Sequence, residues 1–540
     1  MNDLELLNQA AAEVRSELKE QTPSDNITLK YRPETYSDGG VAQVFLKDCD
    51  NVRWNENSDE TKVERGFSVF DGTRWRYSTT AAEGLLQKFV RDKMIPESRQ
   101  SMIDSAAQLA AAKADVKQGL ADETALAKAE KRAKNCKTYF NFAVNCDNTG
   151  RISSALKAAR PDMIFDFKKY DADPYKINCP SGYYNLKTLE MTPHKPKDDC
   201  TKITDVDPDF APEKIVAVVE LLEKASFDPK TNASDTDWVE YVLSVLASGL
   251  IGRVCWETLF QHYGKGANLK STVIGIFSRA KGSYSGVIKS EELTQEKGSR
   301  FGLAGIEGRR EIVFGEVEDS ENTTASIKAF KDVARRDRLP IEIKGIQPYM
   351  VDPIHTAHIH LNKLFKIKVT DFGTERRLRV IPWQYTVTDS ERIEDFAEQF
   401  YNQYAGAVLA LQMKAAQRLI NNGFKLPDCQ RVTDATRGYI TQADTVAKFI
   451  EDCCEVKAEY EVGSKVLYSR YVENTDRKVA LTDREFKAAM LDKGYEYSRN
   501  KKGIMVSGVR LFIGQTDFRN FSTQNGDENV TDDEISEIFG

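Results

Sequence analysis

Lys270, Ser271 and Thr272 stand six to eight residues after Gly264 in the stretch VCWETLFQHYGKGANLKSTVIGIFSRAK, residues 254–281. An apolar run with β-branched and aromatic residues leads into a Gly-rich turn, and the turn opens directly into a helical pattern. That strand–loop–helix order is the context a phosphate-binding loop needs. Gly264 and Gly266 let the backbone bend and bring its N–H groups to an anion, with Asn268 in the same loop. The helix that follows presents its positive dipole end to that anion. Lys270 would reach the β/γ-phosphates of ATP. Ser271 would place its hydroxyl on Mg²⁺, and Thr272 is a neighbour able to substitute. The general pattern has a glycine where this chain has Leu269. A leucine there costs backbone torsion energy, and its side chain has to point away from the phosphates. The competing account is a Gly/Lys-rich surface turn ahead of an ordinary helix.

Further along, REIVFGEVED (residues 310–319) carries the continuous apolar run Ile312, Val313, Phe314, of the kind buried in a parallel sheet. Glu316 and Glu318 come straight after it. Carboxylates at the end of such a strand are placed to hold Mg²⁺, Glu316 foremost, and to polarise a water. Alternatively they are a solvated pair ending a strand. A third strand, AHIHLN, ends at Asn362, and TERRLRVIPW places Arg376 and Arg377 ahead of a fourth. The segment KDVARRDRLPIEIK (residues 331–344) has five basic and three acidic residues, including Arg335, Arg336 and Arg338. With IQPYMV it reads as a hairpin tipped by Lys344. His355, His358 and His360 fall close together. They lack a neighbouring Cys or carboxylate and a clean one-face spacing, which disfavours a metal site.

The elements that must position these groups follow from length and pattern. At 540 residues the chain exceeds what one core serves, so several domains are expected. The composition, 41% hydrophobic and 29% charged, is that of a soluble globular protein. A net charge of −7 excludes an overall basic coat, and any nucleic-acid path must be local. Nine Cys without a C-x-x-C pair argue against a zinc ribbon or a disulfide framework and for a reducing cytoplasm. The acidic, amphipathic start is not a signal peptide, and the most apolar stretch, near residues 241–260, is broken by Arg253 and Glu257, so no membrane span is expected.

The reading is α/β and multidomain. Residues 1–97 form a small α+β domain, with a hairpin turning at Asp71-Gly72 and a core Trp75. Residues 98–205 are helical and then extended, with an Ala-rich helical run closed by Lys128, Lys131, Arg132 and Lys134. Residues 206–395 hold the nucleotide site. In 396–524 a long helix precedes three helices and a basic wing bearing Arg499, Lys501 and Lys502, in the manner of a winged-helix domain. Residues 525–540 are an acidic tail.

The GKGANLKST loop, the strand ending in Glu316-x-Glu318, the basic hairpin, the strand ending in Asn362 and the Arg376-Arg377 pair come in one order. In that order the chain resembles the superfamily 3 helicase part of phage and plasmid primase-helicases, which is related to poxvirus primase-helicases. The likeness covers most of residues 161–513. It implies an AAA+-type P-loop ATPase core that assembles as a homo-oligomeric ring, a hexamer, and moves single-stranded or forked DNA. In this picture Lys270 and Ser271 are the Walker A pair, and Glu316 and Glu318 the Walker B acids. Asn362 is the γ-phosphate sensor. Arg376 or Arg377 is a finger into the neighbouring subunit's site. Lys344 lines the pore, with Arg336 and Arg338 nearby and Lys328 on the approach. Val317 separates the two acids, which leaves the catalytic one ambiguous. No primase signature is present, so the resemblance points to a replicative helicase, phage-encoded and in the host cytoplasm, served by a separate primase or polymerase. A DNA-binding initiator or scaffold with weak ATPase activity is the alternative.

Overall fold

The computed structural model describes residues 29–56, 64–294, 305–315, 327–343, 346–365, 376–477, 479–501 and 503–512. It divides into two compact units. The first runs through Tyr170 and takes back His194–Thr201; the second comprises Asp171–Pro193 and everything from Lys202 onward.

In the first unit, β1 (Val52–Glu56), β2 (Glu64–Phe70), β3 (Trp75–Tyr77) and β4 (Ile164–Asp166) make a sheet of order β3-β2-β1-β4, with only the β1–β4 pair parallel. The expected hairpin is present, but its turn is a four-residue loop, not a two-residue one. Phe70 pairs with Trp75, and the Asp71 carboxylate accepts from the Thr73 and Arg74 amides. That side chain does the turn's work by an Asx-type bond, so the register slips relative to a tight Asp-Gly turn. Trp75 is a core residue, and its indole donates to the Pro196 carbonyl at 2.8 Å. The guanidinium of Arg53 lies 3.8 Å from the ring centres of both Trp75 and Phe165 and pairs with Asp199.

The Ala-rich run folds as two antiparallel helices, Ile95–Lys117 and Glu123–Asn145. Gly119, at φ +70°, ends the first, and the Asp122 side chain caps the second. The boundary expected at residue 97 therefore falls inside a continuous helix whose first residue, Ile95, packs against this unit's core.

The second unit is mixed α/β around a five-stranded, wholly parallel sheet. Its strands are β8 (Leu259–Tyr263), β9 (Ser285–Ile288), β10 (Glu311–Phe314), β13 (Thr356–Leu361) and β14 (Leu378–Pro382), in the order β14-β8-β13-β10-β9. Ahead of it, β5 (Lys176–Cys179), β6 (Gly182–Asn185) and β7 (Met191–Thr192) form a small antiparallel sheet. One sheet face carries Phe260, Val313 and Ile381. It packs against the helices Pro212–Ser226, Thr236–Ser248 and Lys270–Ala280 and the long helix Phe396–Asn421. The other face buries Leu259, Ile312, Phe314, Ile359 and Val380 with Tyr439 of the helix Gln430–Ala443. Strands buried on both faces explain the continuous apolar runs in the sequence.

Between β10 and β13, β11 (Leu339–Ile343) and β12 (Ile346–Val351) pair as the expected hairpin. At the C-terminal end the order is helix Thr445–Cys453, β15 (Cys454–Gly463), helices Ser464–Asn474 and Asp483–Asp492, then β16 (Glu496–Asn500) and β17 (Gly503–Leu511), in a sheet β15-β17-β16 over a separate core. Among the described residues no helix is long and apolar enough to cross a membrane.

Candidate functional site

The Gly-rich loop, residues 264–269, joins β8 to the helix Lys270–Ala280, called the loop helix below. Gly264 is fixed by sterics: a Cβ there would lie 2.2 Å from Asn268 Nδ2 and 2.4 Å from the Trp383 carbonyl oxygen. Ala267 (φ +59°) and Leu269 (φ +61°) both take the left-handed conformation. For a residue with a Cβ this costs roughly 1–2 kcal/mol. Leu269 nonetheless occupies the backbone geometry that a glycine would supply, and its side chain packs on the apolar core. Asn268 brackets the loop: Nδ2 donates to Trp383 O at 3.3 Å, and Oδ1 accepts from the Lys270 amide at 3.3 Å. Its side chain thus builds the loop, a role that residue type alone did not separate from ligand contact.

Lys270 is the first residue of the loop helix and is 2% exposed. Its ammonium donates to Leu361 O at 2.7 Å, Asn362 Oδ1 at 3.0 Å and Gly264 O at 3.1 Å. Leu361 ends β13, the neighbour of β8, so parallel pairing brings Asn362 beside the loop across 92 residues of sequence. Ser271 is exposed in the first helical turn and Thr272 is half-buried beside it. A buried ammonium next to the amino end of a helix is a donor set that fits a phosphate.

Arg376 and Arg377 lie at the opposite, amino-terminal end of the sheet. Their guanidinium groups share Glu257, at 3.3 and 3.1 Å. Leu378 pairs with Leu259, so the length of β8 separates them from the loop of their own chain. Arg336 donates to the Cys255 carbonyl, and Arg338 pairs with Asp352 at 3.0 Å; Arg335 pairs with Asp332. These three sit at the base of the β11–β12 hairpin. Arg499 and Lys501 are exposed at the β16–β17 turn. Glu316, Glu318, Lys344 and Lys502 lie outside the described residues, as do the side chain of Lys328 and the acidic tail.

Sequence reasoning missed a polar ridge beneath the loop helix. Lys281, the C-cap of that helix, and Glu311 of β10 form an ion pair at 2.7 Å with both side chains 0% exposed. Burial by itself would raise the Glu311 carboxyl, but Lys281 and then His358 overturn this and hold it below the ordinary glutamate value. Burial lowers Lys281, against the opposing pull of Glu311. Histidines 262, 358 and 360 are buried or nearly so on the same sheet face. Burial pushes His358 and His360 down to about 4 and His262 well below its usual value, so all are neutral imidazoles. Among the described residues no cluster of His, Cys, Asp or Glu suits a metal ion. The close spacing of His355, His358 and His360 was legible in the sequence, and the place of His262 beside them was not. Nor were their partners, about 50 to 120 residues away.

Comparison with known proteins places this geometry in context. A family model described as D5 N terminal like matches residues 42–242, most of the described first unit and the second unit as far as the middle of the helix Thr236–Ser248. The chain is 25% identical over 268 residues to the Acanthamoeba polyphaga mimivirus protein named "Putative helicase L207/L206". The match takes in 46% of this chain and 27% of that protein, so the chain spans about a quarter of the length of this curated relative. Among solved structures, an A-form apo structure of the NrS-1 C-terminal region aligns at TM-score 0.41 and 11% identity, over 88% of this chain and 99% of that one. A second apo structure of the same region gives 0.41 and 12%, over 88% and 100%.

Proposed function

We propose that the second unit is an AAA+-type P-loop ATPase of the superfamily 3 kind, and that the protein is a replicative DNA helicase that couples ATP hydrolysis to movement along single-stranded or forked DNA as a homohexameric ring. The observation that carries this reading is the meeting of Lys270 and Asn362. It sets the loop lysine of one strand–loop–helix unit against a polar residue at the end of the adjacent parallel strand. The sheet order β14-β8-β13-β10-β9 supports the assignment, since it puts the loop strand between the Asn362 strand and the Arg377 strand. The mimivirus likeness and the D5 N-terminal-like segment support a replication role.

In this reading the loop amides and Lys270 hold the β- and γ-phosphates, and Ser271 with Glu316 holds Mg²⁺, which supplies charge neutralisation at the phosphates when bound. Glu316 or Glu318 orients the attacking water, and Asn362 contacts the γ-phosphate. Arg376 or Arg377 serves the neighbouring subunit, consistent with their distance from their own loop. The helix–strand–helix–helix–hairpin order after residue 445 supports a winged-helix domain whose turn, with Arg499, Lys501 and Lys502, meets phosphates. Lys344 at the hairpin tip contacts the strand in the pore, while Arg336 and Arg338 brace that hairpin. A separate primase or polymerase would supply synthesis.

The left-handed Leu269 favours one second reading, an initiator or scaffold that binds ATP and hydrolyses it poorly. ATPase turnover with and without single-stranded DNA separates the two. The helicase reading expects DNA stimulation that is lost in Lys270→Ala and, with basal turnover retained, in Lys344→Ala. Unstimulated turnover in the wild type supports the scaffold.

A further inference from the structure

Trp383 follows directly on β14, and its backbone floors the loop. Its amide donates to Tyr263 O at 2.7 Å, and its carbonyl accepts from Asn268 Nδ2. The indole stands edge-on to Trp238, ring centres 4.8 Å apart, and donates to His262 Nδ1 at 3.2 Å. An indole N–H can only donate, so Nδ1 of His262 is the bare nitrogen and the proton sits on Nε2. That Nε2 is 3.1 Å from His358 Nδ1, which must then accept. The His358 proton is left on Nε2, facing Glu311 Oε1 at 3.6 Å, and Glu311 holds Lys281. One obligate donor thus fixes both tautomers and points the donors one way from the loop floor towards Glu311, into which Lys281 donates from the other side.

We propose that Trp383, His262 and His358 are positioning residues for the phosphate loop, locking the Trp383 carbonyl on which Asn268 and Gly264 are seated. The proposal rests on the nucleotide-site reading above. A loop whose amides must meet an anion is sensitive to displacements of its floor well below 1 Å. The ridge side chains are buried beneath the loop and act through its position, so their loss acts on ATP affinity more than on turnover.

The test uses the full chain. Trp383→Phe keeps the ring and removes the donor. The expected result is a KM for ATP raised about tenfold with kcat within about threefold of wild type. His262→Asn retains an acceptor near the Nδ1 position, whereas His262→Leu has none. The asparagine variant should therefore lie nearer wild type in KM than the leucine variant, and this pair decides the matter if Trp383→Phe does not fold. Lys270→Ala is the control for the site itself. ATP affinity within twofold of wild type in Trp383→Phe, or equal KM in the two His262 variants, overturns the positioning role if Lys270→Ala has lost ATP binding. If Lys270→Ala binds ATP as wild type does, the nucleotide-site reading falls, and the positioning role falls with it.

Discussion

The ammonium of Lys270 lies 3.0 Å from Oδ1 of Asn362, so the two residues expected to sense the same phosphate hold each other. A nucleotide entering this site competes for the lysine with Asn362 and two carbonyls. Lys270→Ala should reduce ATP hydrolysis by at least about a hundredfold, because in the proposed site it removes a phosphate contact that charge development strengthens. The fold should survive, since the substitution removes polar contacts at strand ends and no apolar core packing. Asn362→Ala should keep ATP binding and lose turnover. Circular dichroism, nucleotide binding and phosphate release measured together check both; normal turnover in either variant contradicts its role.

Arg376 and Arg377 share one carboxylate, so removing either leaves Glu257 partnered. Each single alanine variant should therefore fold. The variant lacking the finger should bind ATP without hydrolysing it. Mixed with Lys270→Ala protein, it should recover part of the turnover, since each subunit supplies what its neighbour lacks. If no mixing ratio exceeds both parents, neither arginine acts across an interface.

Much of this layout was legible in the sequence because it is local. The Gly264-to-Thr272 stretch, the apolar strand at Ile312–Phe314 and the hairpin strands around 339–351 each announce themselves within a dozen residues. What was illegible depends on pairing at a distance. Lys281, at the end of the loop helix, and Glu311, at the start of β10, carry no local sign of each other, and only the fold places them 2.7 Å apart. β15 went unread for a different reason. Its sequence alternates apolar and polar residues from Cys454 to Val462, a period-two strand signal that the helix-and-wing reading of this region passed over. The break at Gly119 was passed over because the residues on either side of it, Lys117, Gln118, Leu120 and Ala121, are good helix formers.

The Lys281–Glu311 pair makes an asymmetric prediction. Lys281→Met strands a fully buried carboxylate and should destabilise the second unit by about 3–5 kcal/mol. The double variant Lys281→Met/Glu311→Leu should recover most of that loss, because burying two apolar groups avoids both desolvation terms. Chemical denaturation of the two variants reads the difference; equal losses would mean that the pair's packing, not its charge, is what matters.

The buried imidazoles set the acid limit. Their native pKa is depressed, to about 4 for His355, His358 and His360, against an ordinary value near 6.5. The unfolded chain binds more protons between these values, so stability is fully present above about pH 6.5 and is lost as pH falls towards 4. Each such histidine weighs about 1.4 kcal/mol per pH unit in that window. Thermal unfolding followed from pH 7.5 to 5 should show a progressive fall in Tm. A flat profile would contradict neutral burial of these rings.

Gly249, which caps the helix Thr236–Ser248, leaves the space this ion pair occupies: a Cβ there would sit 2.9 Å from Glu311 Cβ and 3.0 Å from Lys281 Cε. Three positions spread over more than sixty residues are thereby bound into one heritable unit. A lineage can trade the charged pair for apolar residues and then free position 249 for a larger residue, but it cannot take those steps in the reverse order.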